Sequence, residues 1–192
     1  MDGRKIHQNI ECPIDNFYIS VAHYLNKSFF HPLGFTPNGL TTLSLCAGVL
    51  AAWCFHKHWY LSSFLTFIAA YVLDCADGNF ARMYHMETTF GDYYDHVADI
   101  IKTVLLLSAV AVHPLSWVTK AVFFIVYIVL LSFSLLHMGC QEQNYRKNES
   151  VSLSGLKRLC RNHEWIHWTR YLGTGTLYTY VALFILYRRL VS

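Results

Sequence analysis

Long apolar runs constrain the fold of this chain more than any other feature of its sequence. A transmembrane helix needs about 20 predominantly apolar residues. Runs of this kind predict spans at residues 38–56, 59–83, 92–112, 116–138 and 168–187. Charged residues make up only 14% of the 192 residues, against about 25% in soluble proteins. We therefore predict an all-α integral membrane protein, a polytopic bundle of five to six transmembrane helices.

The amino-terminal part of the chain has a different character. Residues 13–33 are amphipathic and rich in aromatic side chains, and they are too polar to span a bilayer easily. We expect them to form an amphipathic helix that lies in the membrane interface. Pro37 is suited to the first turn of the next helix. The predicted organisation is a cytosolic N-terminus with this interfacial helix over residues 1–36, followed by a transmembrane domain over 37–192.

The charge distribution indicates an orientation in the membrane. The long polar segment 141–166 contains five basic residues, namely Arg146, Lys147, Lys157, Arg158 and Arg161. Cytoplasmic loops carry such an excess of lysine and arginine, so this segment is predicted to be cytosolic, and so is the turn at 83–91. The membrane would be an endoplasmic reticulum-like endomembrane in a eukaryote and the plasma membrane otherwise. A net charge of +3 is too weak to indicate a nucleic-acid partner.

The six cysteines suggest no disulfide framework, and a reducing cytosolic side is expected. Two pairs nevertheless have the spacing of zinc ligands: His137 with Cys140, and Cys160 with His163. A structural zinc clip that ties the polar segment is one interpretation. Chance spacing is the alternative, and it is favoured because such pairs arise easily.

Four aspartates lie where apolar helices meet water. Asp74 and Asp77 share one helix face near the end of the second span, and Asp95 and Asp99 share a face near the start of the third. A hairpin between these spans would bring the four carboxylates together. Such a cluster is unfavourable in a low-dielectric site unless cations neutralise it. Mg²⁺ and Mn²⁺ prefer carboxylate oxygens, and a two-metal site would clamp a diphosphate.

Small and cationic residues accompany the aspartates. Gly78 and Ala81 would allow a ligand to approach closely, and Arg82 offers a planar fork for phosphate oxygens. Gly91 lies one turn before Asp95 and would keep the pocket open there. These residues suit the attack of a hydroxyl group on a phosphoanhydride, with a carboxylate that accepts the proton.

The spacing D-x2-D-G-x2-A-R-x8-G-x3-D-x3-D runs from Asp74 to Asp99. It resembles the signature of the CDP-alcohol phosphotransferase family, and every fixed position is filled. The resemblance implies a helical membrane enzyme, usually a homodimer with six spans per subunit, one more than the five spans predicted here. Such enzymes transfer a phosphate-linked group from a CDP-linked donor to an alcohol acceptor, one of which is a lipid, and release CMP. Membrane lipids are therefore expected partners.

The resemblance also implies roles for single residues. Asp74, Asp77 and Asp95 would bind two Mg²⁺ or Mn²⁺ ions, and Asp99 would contact the second ion or act as the catalytic base. Gly78 and Arg82 would bind the CDP diphosphate, with Ala81 packed beside the nucleotide and Gly91 bordering the pocket. The sequence Pro37-Asn38-x-x-Thr41 also resembles the family, and Asn38 and Thr41 would border the same pocket.

Two subclasses of the family compete. In the first, a phosphatidyl group passes from CDP-diacylglycerol to a polar alcohol such as inositol, serine or glycerol phosphate. In the second, phosphocholine or phosphoethanolamine passes from a CDP-aminoalcohol to diacylglycerol. The short chain resembles the first subclass, which we favour slightly, whereas the pair Asp95-His96 resembles the second. A catalytically inactive scaffold or an ion-handling membrane protein is the alternative of another class.

Two further residues have open interpretations. His96 titrates in the range that suits a catalytic base, or it is simply packed at the interface. Lys102 lies on the acidic face of its helix, three residues after Asp99. It either binds an acceptor phosphate or neutralises Asp99, and neutralisation is favoured because a buried lysine needs a partner.

Overall fold

The computed structural model describes residues 2–144 and 154–191, and the regular structure within these ranges is helical. A short amphipathic helix α1, Pro13–Leu25, continues into a π-helical turn, Asn26–Phe30. The long helices are α2 (Pro37–His56), α3 (Tyr60–Met83), α4 (Thr89–Val112) and α5 (Trp117–Asn144). Short turns and the four-residue α6, Ile166–Thr169, precede the last helix α7, Thr174–Val191.

The prediction of a helical membrane protein is confirmed. A helix covers each predicted span, and α2, α3 and α5 are long and apolar enough to cross a membrane. Two boundaries differ from the prediction: α5 continues to Asn144, and α7 begins at Thr174. Residues 141–144 are polar, yet Gln143 and Asn144 remain helical because their side-chain amides donate to nearby backbone carbonyls. Lys157, Arg158 and Arg161 follow in the described part of the polar segment, whereas Arg146 and Lys147 lie outside the described residues.

Two threonine caps fix where the site-bearing helices begin. The hydroxyl of Thr36 accepts a hydrogen bond from the backbone N–H of Gly39, and Pro37 occupies the first turn of α2. The hydroxyl of Thr88 accepts in the same way from Gly91 at the start of α4. Both caps satisfy backbone donors that would otherwise lack partners, so α2 and α4 begin close to the acidic residues.

Apolar packing holds the helices together on the side away from these caps. Phe55 of α2, Val110 of α4, Phe123 of α5 and Ile185 of α7 are each at most 1% exposed and belong to one cluster. Burial of such side chains stabilises the fold by about 1.5–3 kcal/mol each. Helices α3 and α4 are thereby held against α2, with their polar ends at the caps.

The expectation of no disulfide is wrong: Cys140 and Cys160 form one, with their Cα atoms 5.1 Å apart. The extension of α5 to Asn144 places Cys140 inside that helix, and the turn Ser154–Leu159 returns the chain beside it. The bond uses both sulfur atoms, so the zinc clip is not supported. His137 instead contacts the hydroxyl of Thr169 through Nδ1, at 3.1 Å.

Candidate active site

Three carboxylates from α3 and α4 converge in the structure. Asp74, Asp95 and Asp99 each place one oxygen within 4.8 Å of the others. Asp74 lies in the carboxyl-terminal half of α3, and the other two lie one turn apart near the start of α4. The structure therefore brings together three of the four aspartates that the sequence singled out.

Lys102 completes this cluster with a positive charge. Its ammonium donates to Asp74 Oδ1 at 2.6 Å and lies 2.7 Å from Asp99 Oδ1, although without hydrogen-bond geometry to Asp99. It also donates to the hydroxyl of Ser44 at 2.8 Å. Lys102 is 7% exposed, so its charge acts in surroundings that screen it little. This geometry places the lysine where it neutralises the acids.

Sequence analysis missed two residues of α2 that accommodate this lysine. A Cβ atom at Gly48 would lie 2.5 Å from Cγ of Lys102, so only glycine leaves room for the lysine stem. Ser44 lies one turn earlier, receives the ammonium, and donates its own hydroxyl to the carbonyl of Ala70. Their spacing of four places both residues on one face of α2, the face that contacts α4, and this spacing is the sequence signal that could have identified them.

Asp77 has a different environment from the other three aspartates. Its Oδ2 accepts a 2.6 Å hydrogen bond from the hydroxyl of Thr41, and it is 4% exposed. Thr41, predicted to border the nucleotide pocket, thus contacts an aspartate of the motif directly. The contribution of Asp77 as a metal ligand stays a prediction.

The amino-terminal ends of α2 and α4 meet at Gly91. A Cβ atom there would lie 3.0 Å from the hydroxyl of Thr88 and 3.1 Å from Oδ1 of Asn38. Beside this contact, the hydroxyl groups of Thr42 on α2 and Tyr94 on α4 form a 2.9 Å hydrogen bond. Glycine therefore allows the close approach of Asn38 to the first turn of α4.

Arg82 lies over Gly78 on α3. A Cβ atom on Gly78 would be 3.2 and 3.3 Å from the two terminal guanidinium nitrogens. The Nε atom of Arg82 donates to the carbonyl of Gly3 at 2.7 Å. Ala81 is partly buried in the same turn. Gly78 and Arg82, which the motif pairs, therefore pack against each other.

His96 follows Asp95 on α4 and contacts the preceding turn of the same helix. Its Nδ1 lies 2.6 Å from the backbone carbonyl of Asp92, one turn earlier. Because this carbonyl can only accept, Nδ1 carries the proton in this arrangement and Nε2 is the acceptor nitrogen of the neutral ring.

The acidic cluster fits a hard divalent cation. Oδ1 of Asp95 is buried and accepts no hydrogen bond in the described structure, and a buried carboxylate oxygen without a partner is costly. The neighbouring carboxylates supply further oxygen ligands, which Mg²⁺ and Mn²⁺ prefer. One ammonium cannot balance several acids, so the residues present suit an added metal charge.

Fold and site together define a helical membrane protein with a cluster of carboxylates between two helices that could hold a metal ion. A family model described as CDP-alcohol phosphatidyltransferase matches residues 35–188. The chain therefore belongs to the CDP-alcohol phosphatidyltransferase family, which confirms the resemblance seen in the motif.

Curated relatives share part of this sequence. The CDP-diacylglycerol–serine O-phosphatidyltransferases of Mycobacterium bovis and Mycobacterium tuberculosis are 28% identical over 102 residues, which cover 50% of this chain and 36% of each relative. The enzyme of the same description from Mycobacterium leprae is 26% identical, with 50% and 34% covered. The chain thus spans little more than a third of the length of the curated relatives it matches. No solved structure matches it.

Proposed function

We propose that this protein transfers a phosphatidyl group from CDP-diacylglycerol to a small polar alcohol and releases CMP. The observation that carries the proposal is the convergence of Asp74, Asp95 and Asp99 around an unpartnered carboxylate oxygen in a member of this family. The names of the relatives make serine the first acceptor to test. The site is proposed to open to the cytosol, in a homodimer embedded among membrane lipids.

The residues of the site have separate roles in the transfer reaction. The acceptor hydroxyl oxygen attacks the phosphorus bonded to diacylglycerol, the phosphoanhydride bond breaks, and CMP leaves. Asp74, Asp95 and Asp99, with Asp77 as the fourth candidate, would hold Mg²⁺ or Mn²⁺, as a pair of ions on the family's pattern. The bound metal would supply positive charge for the diphosphate. Arg82 donates to a phosphate oxygen, while Gly78, Ala81, Gly91, Asn38 and Thr41 shape the nucleotide pocket.

The hydroxyl proton passes to Asp99 or to His96. Asp99 lies in the carboxylate cluster, beside the Lys102 ammonium. His96 has Nδ1 engaged with the Asp92 carbonyl, so Nε2 would take the proton. His96→Gln distinguishes them, because loss of the base lowers kcat by about 100-fold or more, whereas Asp99→Asn would also remove a candidate metal ligand.

The Asp95-His96 pair favours a second candidate function, the transfer of phosphocholine or phosphoethanolamine to diacylglycerol. The deciding experiment measures CMP release by purified protein with Mg²⁺. CDP-diacylglycerol is offered with serine, inositol or glycerol phosphate, and CDP-choline or CDP-ethanolamine is offered with diacylglycerol. CMP from CDP-diacylglycerol supports phosphatidyl transfer, and CMP from the aminoalcohol donors alone supports the second function. No CMP from any donor contradicts both and favours the inactive scaffold.

A further inference from the structure

The amino-terminal segment before α1, residues 2–12, lies across the end of α3 that bears the motif. We call it the N-terminal strap. The buried side-chain amide of Asn79 donates to the carbonyl of Asp2 at 2.9 Å, and Arg82 donates to the carbonyl of the next residue, Gly3. Two motif-region side chains of α3 therefore bind consecutive carbonyls of the strap.

Only glycine fits the strap at position 3. Gly3 has a φ of 66°, which side-chain-bearing residues rarely adopt. A Cβ atom there would lie 2.6 Å from both the backbone carbonyl oxygen of Asn79 and Cγ of Met83. Because the first of these atoms belongs to the backbone of a helix, it cannot move away. The strap and the α3 turn before Arg82 therefore pack too closely for a side chain at position 3.

The contact with Gly3 fixes the orientation of the Arg82 guanidinium group. The carbonyl takes Nε, and the two terminal nitrogens remain over Gly78. A guanidinium held by one edge keeps its remaining donors in a fixed plane, which reduces the entropy lost when it binds a phosphate bidentately. The strap thus restricts the motion of a long side chain that would otherwise be flexible.

The strap is anchored by the three residues that follow this contact. Arg4 donates to Oδ1 of Asn16 at 2.7 Å and to the hydroxyl of Ser20 at 3.0 Å, both on α1. Lys5 forms an ion pair with the buried Glu142 of α5. Ile6 is buried against the Cys140–Cys160 disulfide and Ile166. The Gly3 carbonyl is therefore fixed by contacts that do not involve Arg82 itself.

We propose that Gly3 is a positioning residue for the CDP diphosphate: its backbone carbonyl holds Arg82 so that the terminal guanidinium nitrogens face the donor's phosphates. This inference rests on the proposed function, since it takes the nucleotide to bind above Gly78. It adds the strap, which lies before the residues matched by the family, to the donor site. The strap then affects donor affinity and leaves the chemical step itself unchanged.

A double-mutant cycle on the full chain tests the proposal, with CDP as the probe and Mg²⁺ present. Gly3→Ala is expected to weaken CDP binding by about tenfold, the effect of misplacing one charge-assisted contact, and to raise KM for the CDP-linked donor while kcat stays near the wild-type value. In the R82Q background the same change should have no further effect on CDP binding. Arg4→Ala, which loosens the strap without a clash, should weaken binding in the same direction.

Gly34→Ala is the matched control, because Gly34 also has a positive φ, 74°, but no atom lies within 4 Å of its would-be Cβ. Gly34→Ala places alanine at a similarly unfavourable positive φ without touching the strap, so CDP affinity should be unchanged. The role of Gly3 would be overturned if Gly3→Ala and R82Q had additive effects on CDP binding, or if Gly3→Ala and Gly34→Ala had equal effects. Neither result would contradict the proposed function. A wild-type protein that binds no CDP and releases no CMP would overturn the proposed function as well.

Discussion

The ammonium of Lys102 lies 2.6 Å from Oδ1 of Asp74, which joins α4 to α3 at the centre of the candidate site. The same ammonium faces Asp99 at 2.7 Å. The chain thus carries a cation of its own among the acids, which holds the carboxylates together in the absence of metal. A divalent ion adds to this charge, because one lysine cannot balance several aspartates.

Removal of the Lys102 charge should make stability depend strongly on metal. Lys102→Met keeps the stem but leaves the partly exposed Asp74 and Asp99 without their ammonium, which costs about 1–3 kcal/mol. Thermal unfolding in detergent should therefore show a large loss in EDTA and a smaller loss in saturating Mg²⁺. Lys120→Met, which removes an ammonium that donates to the carbonyl of Ala111, is the control. An equal loss in both conditions would contradict the role of Lys102 as a resident cation.

The second prediction concerns the space that Gly48 provides. Gly48→Ala places a methyl group 2.5 Å from Cγ of Lys102, so the lysine stem must shift away from Asp74. Overpacking of this kind costs about 1–3 kcal/mol, and displacement at the site should lower kcat for CMP release by about tenfold or more. Gly155→Ala, at a glycine with open space around it, should leave both quantities unchanged. Full activity of Gly48→Ala would show that the position of Lys102 does not matter.

Asp15 of α1 should make stability fall as the pH rises. Burial, and then the charge of Glu11, raise the pKa of Asp15 from 3.8 to about 6. Its ionised form is therefore disfavoured in the fold, so the stabilisation is present below pH 3.8 and is lost as the pH rises through 6. The shift corresponds to about 3 kcal/mol.

Asp15→Asn retains an oxygen that can accept from the hydroxyl of Tyr71 but does not titrate. Chemical unfolding of the wild type and this variant between pH 4 and pH 7 measures the difference. The variant should lose stability less steeply over this range. Parallel pH profiles for the two proteins would contradict the assignment of this pH dependence to Asp15.

The disulfide between Cys140 and Cys160 closes a loop with a sequence separation of 20. Loop closure of this size stabilises a fold by about 3 kcal/mol, so Cys140→Ser combined with Cys160→Ser should lower the free energy of unfolding by about that amount. Mass spectrometry of the wild type after alkylation without reductant measures whether both thiols are protected. Quantitative alkylation of both cysteines would contradict the pairing. Cys46→Ser, at an exposed free cysteine, is the control.

Much of this architecture was predictable because its signals are local. The apolar runs predicted helices over all five spans, and the spacing of Asp74, Asp95 and Asp99 placed their carboxylates on facing helices. Periodicity and spacing report which face of a helix a residue occupies, and the favoured role of Lys102 as a counter-charge to Asp99 followed from the same reasoning.

Contacts between distant segments were not predictable in this way. The pairing of Cys140 with Cys160 depends on where α5 ends and how the next turn returns, and helix ends are weakly specified by sequence. The contact between Gly3 and Arg82 joins residues far apart in the chain, with no periodic pattern that links them. The room that Gly48 makes for Lys102 likewise depends on how closely α2 and α4 pack.

The most direct test of the account is CMP release from CDP-diacylglycerol by the Asp95→Asn variant with Mg²⁺. The asparagine keeps the size of the side chain but removes the charge that the unpartnered Oδ1 offers to a metal. Turnover should fall by about 100-fold or more while the protein remains folded, and Glu164→Gln, at an exposed carboxylate, should retain full turnover. Wild-type turnover by Asp95→Asn would contradict the carboxylate cluster as the active site.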